Sequence, residues 1–417
     1  MIVLQVWLRT LAGALLSAGE LRVADPDPRR GGFLRGEFRY HAAFLAHPDA
    51  FALDPLHLPL TAAVFPAARP QAGIHGCFED SLPDAWGRGL LIRRHTLPRS
   101  RQTPPELLAL LGADALGALA YATGREPPVP APPGAPPDLE SLIAAAERYD
   151  RDPGALDDAD LARLFQAASS PGGARPKLLI ENGGRGHLAK LAAARDEVDM
   201  VRVEAACLAL ARDAGLAVPA FRVVACGCRS ALLVERFDQT PAGGRYHILS
   251  LQTLTGAEGY YQLGYADLAD CLRRVSARPE DDLPALYRQA AFNAMLGNTD
   301  DHLKNFALRR EPAGWRLTPA FDLLPDVTRR GEHCLHFGPA GYRPSRAALY
   351  ALAAACGLSR RRATETLTQV GAAVAGWRAR CDDYAVPAAD RERLAGDIAR
   401  RVAECAPDPV GAASAAT

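Results

Sequence analysis

The sequence predicts an α+β fold with two lobes, a small β-rich lobe followed by a larger helical lobe, and an extra α+β subdomain at the N-terminus. Three observations predict it. Residues 1–126 mix strand and helix patterns and end at a proline-rich linker over 127–137. Residues 138–238 contain several strand patterns around one main helix, whereas helical patterns dominate 239–405. Residues 406–417 are expected to form a flexible tail.

The N-terminal subdomain is predicted to combine short strands and helices. Apolar runs indicate strands at 3–8 and 36–40, and helical patterns cover 82–94 and 105–111. The linker that follows has seven prolines in eleven residues. Because proline lacks the N–H that a helix interior or a central strand requires, 127–137 is predicted to be an exposed, semi-rigid connection.

The small lobe begins with two helical patterns, over 138–149 and 160–168. A flexible glycine-containing loop is expected over 169–177. Strands at 177–181 and 187–191 follow, joined by the sequence Asn-Gly-Gly-Arg-Gly, which is a strong turn signal. The sequence therefore predicts a hairpin directly after the loop.

One helix and two further strands complete the small lobe. The helix covers about 198–214 and is followed by Gly215, the residue type that most often ends helices. The strands are predicted at 221–225 and 231–237. The large lobe is expected to contain a hairpin over 306–318 and helices at 265–275, 283–296, 345–356, 360–377 and 390–405.

Composition narrows the class of protein. Lys+Arg and Asp+Glu both number 48, and this zero net charge argues against nucleic-acid binding by the chain as a whole. No uncharged apolar run has the length of a membrane span, and the N-terminal apolar run has no basic segment before it, so no membrane or signal segment is expected. The nine cysteines include no CxxC pair, which favours reduced thiols in a cytoplasmic protein.

Lysine is rare in this arginine-rich chain. Only Lys177, Lys190 and Lys304 are lysines among the 48 basic residues. Arginine therefore serves wherever a general surface cation suffices, and lysine persists where a compact ammonium differs from a planar guanidinium. The three lysines are candidate functional residues on this ground.

The densest polar cluster is Gly-Asn-Thr-Asp-Asp-His-Leu-Lys-Asn-Phe over 297–306. Asp300 and Asn305 have the spacing D-x-x-x-x-N, and Asp322 follows one hairpin later. This is the layout of a protein-kinase catalytic loop and its metal-binding aspartate. Phosphoryl transfer needs a carboxylate to orient the attacking hydroxyl, and Mg²⁺ needs hard oxygen ligands. Lys304 would offset the charge of the transferred phosphoryl group.

The upstream residues supply the remaining parts of a kinase in the expected order. Gly172 and Gly173 lie in the flexible loop and allow backbone N–H groups to approach a phosphate. Lys190 lies on the strand after the loop, and Glu204 lies on the apolar face of the next helix. A carboxylate on an apolar face requires a cation, and Lys190 is the lysine available nearby. The sequence therefore predicts a Lys190–Glu204 ion pair.

Simpler interpretations compete with each part. The loop around Asp300 is also typical of a polar segment that caps a helix. Gly172 and Gly173 are also typical of a common turn. Glu204 is also typical of a solvated helix face. The conjunction of these parts in the right order favours the kinase interpretation. His333 with its neighbours suggests a metal site, but no second cluster completes four ligands, so structural roles are favoured.

Four segments carry a resemblance to a known family. They read Ser-Pro-Gly-Gly-Ala-Arg-Pro-Lys over 170–177, Val-Glu-Arg-Phe-Asp over 234–238, Thr-Asp-Asp-His-Leu-Lys-Asn-Phe over 299–306 and Phe-Asp-Leu-Leu over 321–324. The chain resembles the HipA-family serine/threonine kinases, which are toxins of bacterial toxin–antitoxin pairs. Segments 78–87 and 111–121 are similar to the family's N-terminal module, so the resemblance covers about residues 3–378.

The resemblance implies a kinase-like fold and a function for each matching residue. Asp300 would be the catalytic base, and Asn305 and Asp322 would hold Mg²⁺. Ser170 matches the family's self-phosphorylated serine. The residues that would bind ATP are Gly172, Gly173, Ala174, Arg175, Pro176 and Lys177 in the loop, Lys190 on the strand, Glu235, Arg236 and Phe237 in the hinge, and His302, Lys304 and Phe321 around the catalytic loop.

The resemblance also implies partners. Family targets are aminoacyl-tRNA synthetases, and the usual partner is a helix-turn-helix antitoxin, through which any contact with DNA would be indirect. The segments 250–256 and 334–337 depart from the family pattern, which bears on the choice of target. Two alternatives stay open: a catalytically silent kinase fold that serves as a binding component of an antitoxin–DNA complex, and a small-molecule phosphotransferase.

Overall fold

The computed structural model describes residues 1–407 apart from 27–28, 30–31, 69–71, 130–138, 153, 155, 158, 162–163, 165–174, 183, 228 and 328–330. Most of the predicted linker, most of the predicted helix over 160–168 and nearly all of the predicted tail lie outside the described residues. The chain forms two compact units. The first comprises residues 1–196, 220–256 and 307–315, and the second comprises 197–219, 257–306 and the chain from 316 onward.

The first unit begins with a five-stranded antiparallel sheet. Its strands are β1 (Ile2–Arg9), β2 (Leu15–Ala24), β3 (Arg35–Tyr40), β4 (Val64–Pro66) and β5 (Leu119–Ala122), in the order β4-β3-β2-β1-β5. Buried and less buried side chains alternate along β1, as expected for a sheet with one face on a core. The helices of this part are α1 (Ala42–Leu45), α2 (Gly76–Glu79), α3 (Ala85–Arg94) and α4 (Pro104–Leu111).

A second antiparallel sheet of the same unit contains the predicted hairpin. Helix α5 (Leu139–Arg151) precedes it, and its strands are β6 (Lys177–Asn182), β7 (Arg185–Lys190), β8 (Phe221–Cys226) and β9 (Arg229–Glu235), in the order β6-β7-β9-β8. Trp86 and Leu90 of α3 share one apolar core with Leu142 of α5, Leu178 of β6 and Ala189 of β7. A helix from the N-terminal part of the chain therefore contributes to the core beneath the second sheet.

The segment after β9 is fixed by a buried carboxylate. Asp238 is 2% exposed and accepts hydrogen bonds from Arg236 Nε at 2.8 Å, from Arg245 at 3.2 Å and from the backbone N–H of Gly117 at 3.0 Å. Burial alone would raise the pKa of Asp238, but the two guanidinium groups outweigh it and hold that pKa below its usual range. Asp238 thus ties the segment after β9 to the residues just before β5.

Replacing Asp238 with Asn should lower stability and change its pH dependence. A depressed pKa contributes stability that is present above the ordinary carboxyl pKa of about 4 and is lost as the pH falls through the folded-state value. The free-energy gap between wild type and Asp238→Asn should therefore narrow below about pH 4. Urea unfolding at several pH values measures it.

Asp49→Asn is the matched control, because the Asp49 side chain is 68% exposed. It should change the free energy of unfolding by no more than about 0.5 kcal/mol. A gap between wild type and Asp238→Asn that stays constant down to pH 3 would contradict the assignment of a depressed pKa to Asp238.

The second unit is mainly helical. Its helices are α6 (Met200–Asp213), α8 (Tyr265–Val275), α9 (Pro279–Leu296), α10 (Arg346–Ala355), α11 (Arg360–Ala375), α12 (Trp377–Asp383) and α13 (Ala388–Cys405), while α7 (Leu251–Thr255) belongs to the first unit. Helix α9 is buried along most of its length and packs against α8, α11 and α13. It therefore forms the centre of this unit, and the polar motif over 297–306 begins where it ends.

Three short strands remain. They are β10 (Ile248–Ser250), β11 (Ala307–Glu311) and β12 (Gly314–Leu317), and β11 pairs with β10 and forms the predicted hairpin with β12. None of the helices among the described residues has both the length and the apolar character needed to cross a bilayer.

Candidate active site

The loop that follows α9 starts from a glycine that no other residue can easily replace. Gly297 ends the helix with φ of 81°, a left-handed conformation that favours glycine. A Cβ atom at this position would lie 2.9 Å from Nε of Arg401. The backbone therefore turns sharply at Gly297, close to Arg401 of α13.

Two adjacent aspartates in this loop have opposite environments. Asp300 is exposed, whereas Asp301 is completely buried. The backbone carbonyl of Asp300 accepts a hydrogen bond of 2.8 Å from Nδ2 of Asn305, across a short 3₁₀ turn over Leu303–Asn305. This bond fixes the backbone of Asp300 while its side chain stays exposed to solvent.

Asp301 anchors the loop. Its Oδ2 accepts a hydrogen bond of 2.7 Å from the Tyr265 hydroxyl and lies 2.8 Å from Nδ1 of His333. Its Oδ1 accepts a hydrogen bond of 2.7 Å from the backbone N–H of Cys334. A buried carboxylate is tolerated only when its oxygens are hydrogen-bonded, and here both are. The side chain next to the candidate catalytic residue is thereby immobilised.

A polar chain extends this anchor in two directions. Nδ2 of Asn293 donates to the Tyr265 hydroxyl at 3.0 Å, and Nδ2 of Asn298 donates to Oδ1 of Asn293 at 3.1 Å. On the other side, Nε2 of His333 lies 3.5 Å from Nη1 of Arg401. Burial, followed by the nearby Asp301 carboxylate, raises the pKa of Tyr265 well above its usual range, so Tyr265 acts as a donor.

Asp322 lies on the segment that follows the β11–β12 hairpin. It is partly buried and has φ of 57°, which is uncommon for a residue other than glycine. The backbone N–H of Ala320 donates to the carbonyl of Ala217 at 2.8 Å, and that of Asp326 donates to the carbonyl of Gly297 at 2.8 Å. The segment that carries Asp322 is thus bonded directly to the start of the loop that carries Asp300. Such backbone outliers cluster at functional sites.

The residues present fit a magnesium ion. The amide nitrogen of Asn305 is committed to the Asp300 carbonyl, so the amide presents its oxygen as a ligand. Asp322, on the segment bonded to Gly297, would add a carboxylate. Among the described residues no group of three or more His, Cys, Asp and Glu side chains could hold a metal ion. Mg²⁺ in kinases nevertheless needs only one or two protein oxygens, since substrate phosphates and water complete its shell.

The two small-lobe lysines lie side by side in the first unit. Lys177 and Lys190 are directly opposite each other in the antiparallel pair β6–β7, which puts both side chains on one face of the sheet. Lys190 is partly buried, whereas Lys177 is 5% exposed and its Nζ lies 3.4 Å from Oδ2 of Asp84. Two neighbouring ammonium groups repel each other and attract an anion.

The predicted nucleotide loop is described only at its C-terminal end. Ser170, Gly172, Gly173 and Ala174 lie outside the described residues. Arg175 forms an ion pair of 3.1 Å with Asp196, and the carbonyl of Pro176 accepts a hydrogen bond of 3.1 Å from the N–H of Leu191. The end of the loop is therefore joined to the end of β7.

Two of the three predicted hinge residues, Glu235 and Arg236, line a cavity within the first unit. Glu235 forms an ion pair of 2.6 Å with Arg185, Arg236 binds Asp238, and Phe237 is partly buried. The cavity has a volume of about 590 Å³, which is within the range of small-molecule sites. It is lined by Leu179, Ile180, Glu181, Gly184, Arg185, Gly186, Glu235, Arg236, Gln239, Thr240, Pro241, Gly243 and Gly244.

The remaining predicted site residues are placed as follows. His302 is partly buried and stacks edge-on with Tyr260 at 5.8 Å, Lys304 is exposed, and Phe321 is partly buried. Glu204 is buried on α6 in the second unit, whereas Lys190 belongs to the first unit. The ion pair between Glu204 and Lys190 stays a prediction.

Three residues that contact or adjoin predicted site residues were not assigned a function from the sequence. Asp84 binds Lys177, Asp301 anchors the loop, and His333 contacts Asp301. Asp84 lies inside the predicted helical pattern over 82–94, whereas in the structure the helix begins at Ala85 with Asp84 as its N-cap. Nothing in the sequence indicated its partner. The favoured structural role of His333 agrees with its hydrogen bond to Asp301.

An exposed aspartate on a fixed loop, with a second aspartate one hairpin later, is the arrangement predicted for a protein-kinase-like site. Comparison with family models identifies the family. Residues 169–377 match the model of the HipA-like C-terminal domain, and residues 18–122 match the model of the HipA N-terminal domain. The first match covers half of the chain. The protein therefore belongs to the HipA family.

A solved structure confirms the fold class. A chain of the Shewanella oneidensis MR-1 toxin–antitoxin complex of HipA, HipB and operator DNA superposes with a TM-score of 0.69. The identity is 20%, and the match covers 95% of this chain and 96% of that one. The predicted α+β, kinase-like fold is thus confirmed.

Two curated relatives come from Sinorhizobium fredii. The protein named "Putative kinase Y4mE" is 28% identical over 68% of this chain and 72% of its own length. The protein named "Putative kinase Y4dM" is 30% identical, but over only 30% of this chain and 34% of its own length. The family and these relatives support a kinase.

The neighbouring aspartates should respond differently to substitution. Asp301→Ala removes the acceptor of several buried donors, so it should lower the free energy of unfolding by at least about 3 kcal/mol. Asp300→Ala, at the exposed neighbour, should change it by no more than about 0.5 kcal/mol. Urea unfolding of the two variants measures both. Equal stability of the two variants would contradict the anchoring function of Asp301.

Proposed function

We propose that this protein is an ATP- and Mg²⁺-dependent serine/threonine protein kinase and the toxin of a bacterial toxin–antitoxin pair. The observation that carries the proposal is the loop after α9, which holds the exposed Asp300 between a hydrogen bond to Asn305 and the buried anchor Asp301. The bond from Asp326 to Gly297 adds the segment of Asp322 to the same structure. Rigid positioning of one accessible carboxylate is what phosphoryl transfer requires of a protein.

In the proposed reaction, the phosphoryl group passes from ATP to a serine or threonine hydroxyl. The carboxylate of Asp300 orients a serine or threonine hydroxyl and accepts its proton as the oxygen attacks the terminal phosphorus of ATP. The bond from that phosphorus to the bridging oxygen breaks, and ADP leaves. Asn305 and Asp322 would hold Mg²⁺, which would neutralise phosphate charge. Lys304 and His302 lie on the same loop and stabilise the transferred group.

We also propose that ATP binds to the first unit, on the evidence of two neighbouring lysines and a cavity. Lys190 and Lys177 form a pair of adjacent cations suited to phosphates. The cavity beside Glu235 and Arg236 has the volume for a nucleobase and sugar. Gly172 and Gly173, in the loop before β6, would supply backbone N–H groups.

The acceptor is proposed to be a protein of the translation machinery, with an aminoacyl-tRNA synthetase as the expected target. Family membership supports this proposal. The related Shewanella protein is solved in a complex with HipB and operator DNA. We therefore propose a helix-turn-helix antitoxin partner, with DNA contacted through that partner, because the net charge of this chain is zero.

Asp300→Asn should abolish phosphotransfer. Loss of the general base should reduce transfer of labelled phosphate from ATP to bacterial lysate protein by at least about 100-fold. Expression of wild type should inhibit growth, and expression of Asp300→Asn should not. Asp270→Asn, at a side chain 74% exposed on α8, is the control and should behave as wild type.

The same experiment separates the alternative functions. Labelled phosphate recovered in small metabolites instead of protein would favour the small-molecule phosphotransferase. Equal growth inhibition by wild type and Asp300→Asn would contradict toxicity through phosphotransfer and favour the catalytically silent fold.

Ser170 is proposed to be self-phosphorylated. A phosphate there would add about −1.5 to −2 charge to the loop that must close over ATP, so it should inhibit the enzyme. Mass spectrometry after incubation with Mg²⁺-ATP should find phosphate on Ser170 in wild type and in Ser169→Ala, but none in Ser170→Ala. An active protein without phosphate on Ser170 would rule this out.

A further inference from the structure

The lysine at the end of the nucleotide loop is held by a residue from the N-terminal part of the chain. Nζ of Lys177 lies 3.4 Å from Oδ2 of Asp84, and the two side chains are 6% and 7% exposed. We propose that Asp84 competes with the phosphates of ATP for Lys177, so that this ion pair, here called the Asp84 latch, lowers nucleotide affinity. The inference rests on the proposed function of the same site.

The position of Asp84 is fixed independently of Lys177. Asp84 is the N-cap of α3, and its Oδ1 accepts a hydrogen bond of 3.0 Å from the backbone N–H of Gly87. Trp86 and Leu90 anchor α3 in the core that it shares with Leu178 of β6. One carboxylate oxygen therefore caps the helix, while the other faces the ammonium group.

The charges around Lys177 favour exchange of its partner Asp84 for a phosphate. Burial raises the pKa of the Asp84 carboxyl, and the charge of Lys177 offsets that effect only in part. Lys177 also stands opposite Lys190, a second cation on the same face of the sheet. Asp84 thus neutralises one of two ammonium groups that a phosphate would otherwise bind together.

Release of Lys177 to a phosphate leaves the Asp84 carboxylate buried without its cation. Such an unpaired buried charge is unfavourable, and its cost opposes nucleotide binding. The same cost is absent if position 84 is neutral. ATP should therefore bind more tightly to a variant that keeps the helix cap but has no charge at this position.

Asp84→Asn in the full-length protein makes this change, because asparagine is an equally good N-cap. Isothermal titration should show Mg²⁺-ATP binding at least about fivefold more tightly to Asp84→Asn than to wild type, the lower end of typical coupling between sites. Adenosine, which has no phosphate, should bind both equally. The variant without ligand should melt at a lower temperature, because Lys177 is left unpaired.

Two further variants serve as controls. Asp199→Asn makes the same substitution at another N-cap, that of α6, and should bind ATP as wild type does. Asp84→Asn/Lys177→Gln should lose the gain in ATP affinity, because the competed cation is absent.

Several outcomes would overturn the latch. Unchanged or weaker ATP binding by Asp84→Asn would show that Asp84 does not compete, and weaker binding would indicate that it positions Lys177 for the phosphates. An equal gain for adenosine would show a general change of the cavity. A wild type that binds no ATP would overturn the proposed function and the latch together, whereas ATP binding with Asp300-dependent transfer but no effect of Asp84→Asn would overturn the latch alone.

Discussion

The geometry of the loop that carries Asp300 depends on the hydrogen bonds of the buried Asp301 carboxylate. This carboxylate joins α8, through Tyr265, to the segment of His333 and Cys334, and it does so from the residue next to Asp300. An accessible catalytic side chain makes few contacts that could fix it, so a neighbour must do so. Placing the anchor one residue away separates the requirement for rigidity from the requirement for access.

Much of the fold could be predicted from the sequence, because most elements carry a clear local pattern. The predicted bounds of α8 agree with the structure, and those of β6, β7 and α3 differ by a few residues. Strand β2 was missed. Gly19 interrupts its pattern, and the structure shows why glycine is there: a Cβ atom would lie 2.4 Å from the carbonyl oxygen of Arg39 and 2.5 Å from the ring of Phe38. The need for that glycine arises from packing on β3, which a local pattern does not reveal.

For the candidate site too, local sequence patterns predicted some residues, whereas tertiary contacts determined others. Asp300 and Asn305 lie within one short motif, and Asp322 follows after one hairpin, so their spacing alone predicted a shared chemistry. The partners of Lys177 and Asp301 could not be predicted, because Asp84 is 93 residues from Lys177 and His333 is 32 residues from Asp301. A motif specifies the reacting groups, whereas the groups that hold them in place are chosen by the tertiary fold.

The N-terminal part of the chain is joined to the rest of the first unit by polar contacts at several points. Oδ2 of Asp80 accepts a hydrogen bond of 2.7 Å from the N–H of Ser250, and the N–H of Gly117 donates to Asp238 beside the predicted hinge. Asp84 adds a third contact, to the lysine that begins β6. Polar contacts of this kind stabilise only when every partner is present, because an unpaired buried group is unfavourable. The N-terminal part of the chain therefore shares polar contacts with β6 and with the segment after β9, the two places where nucleotide contacts are proposed.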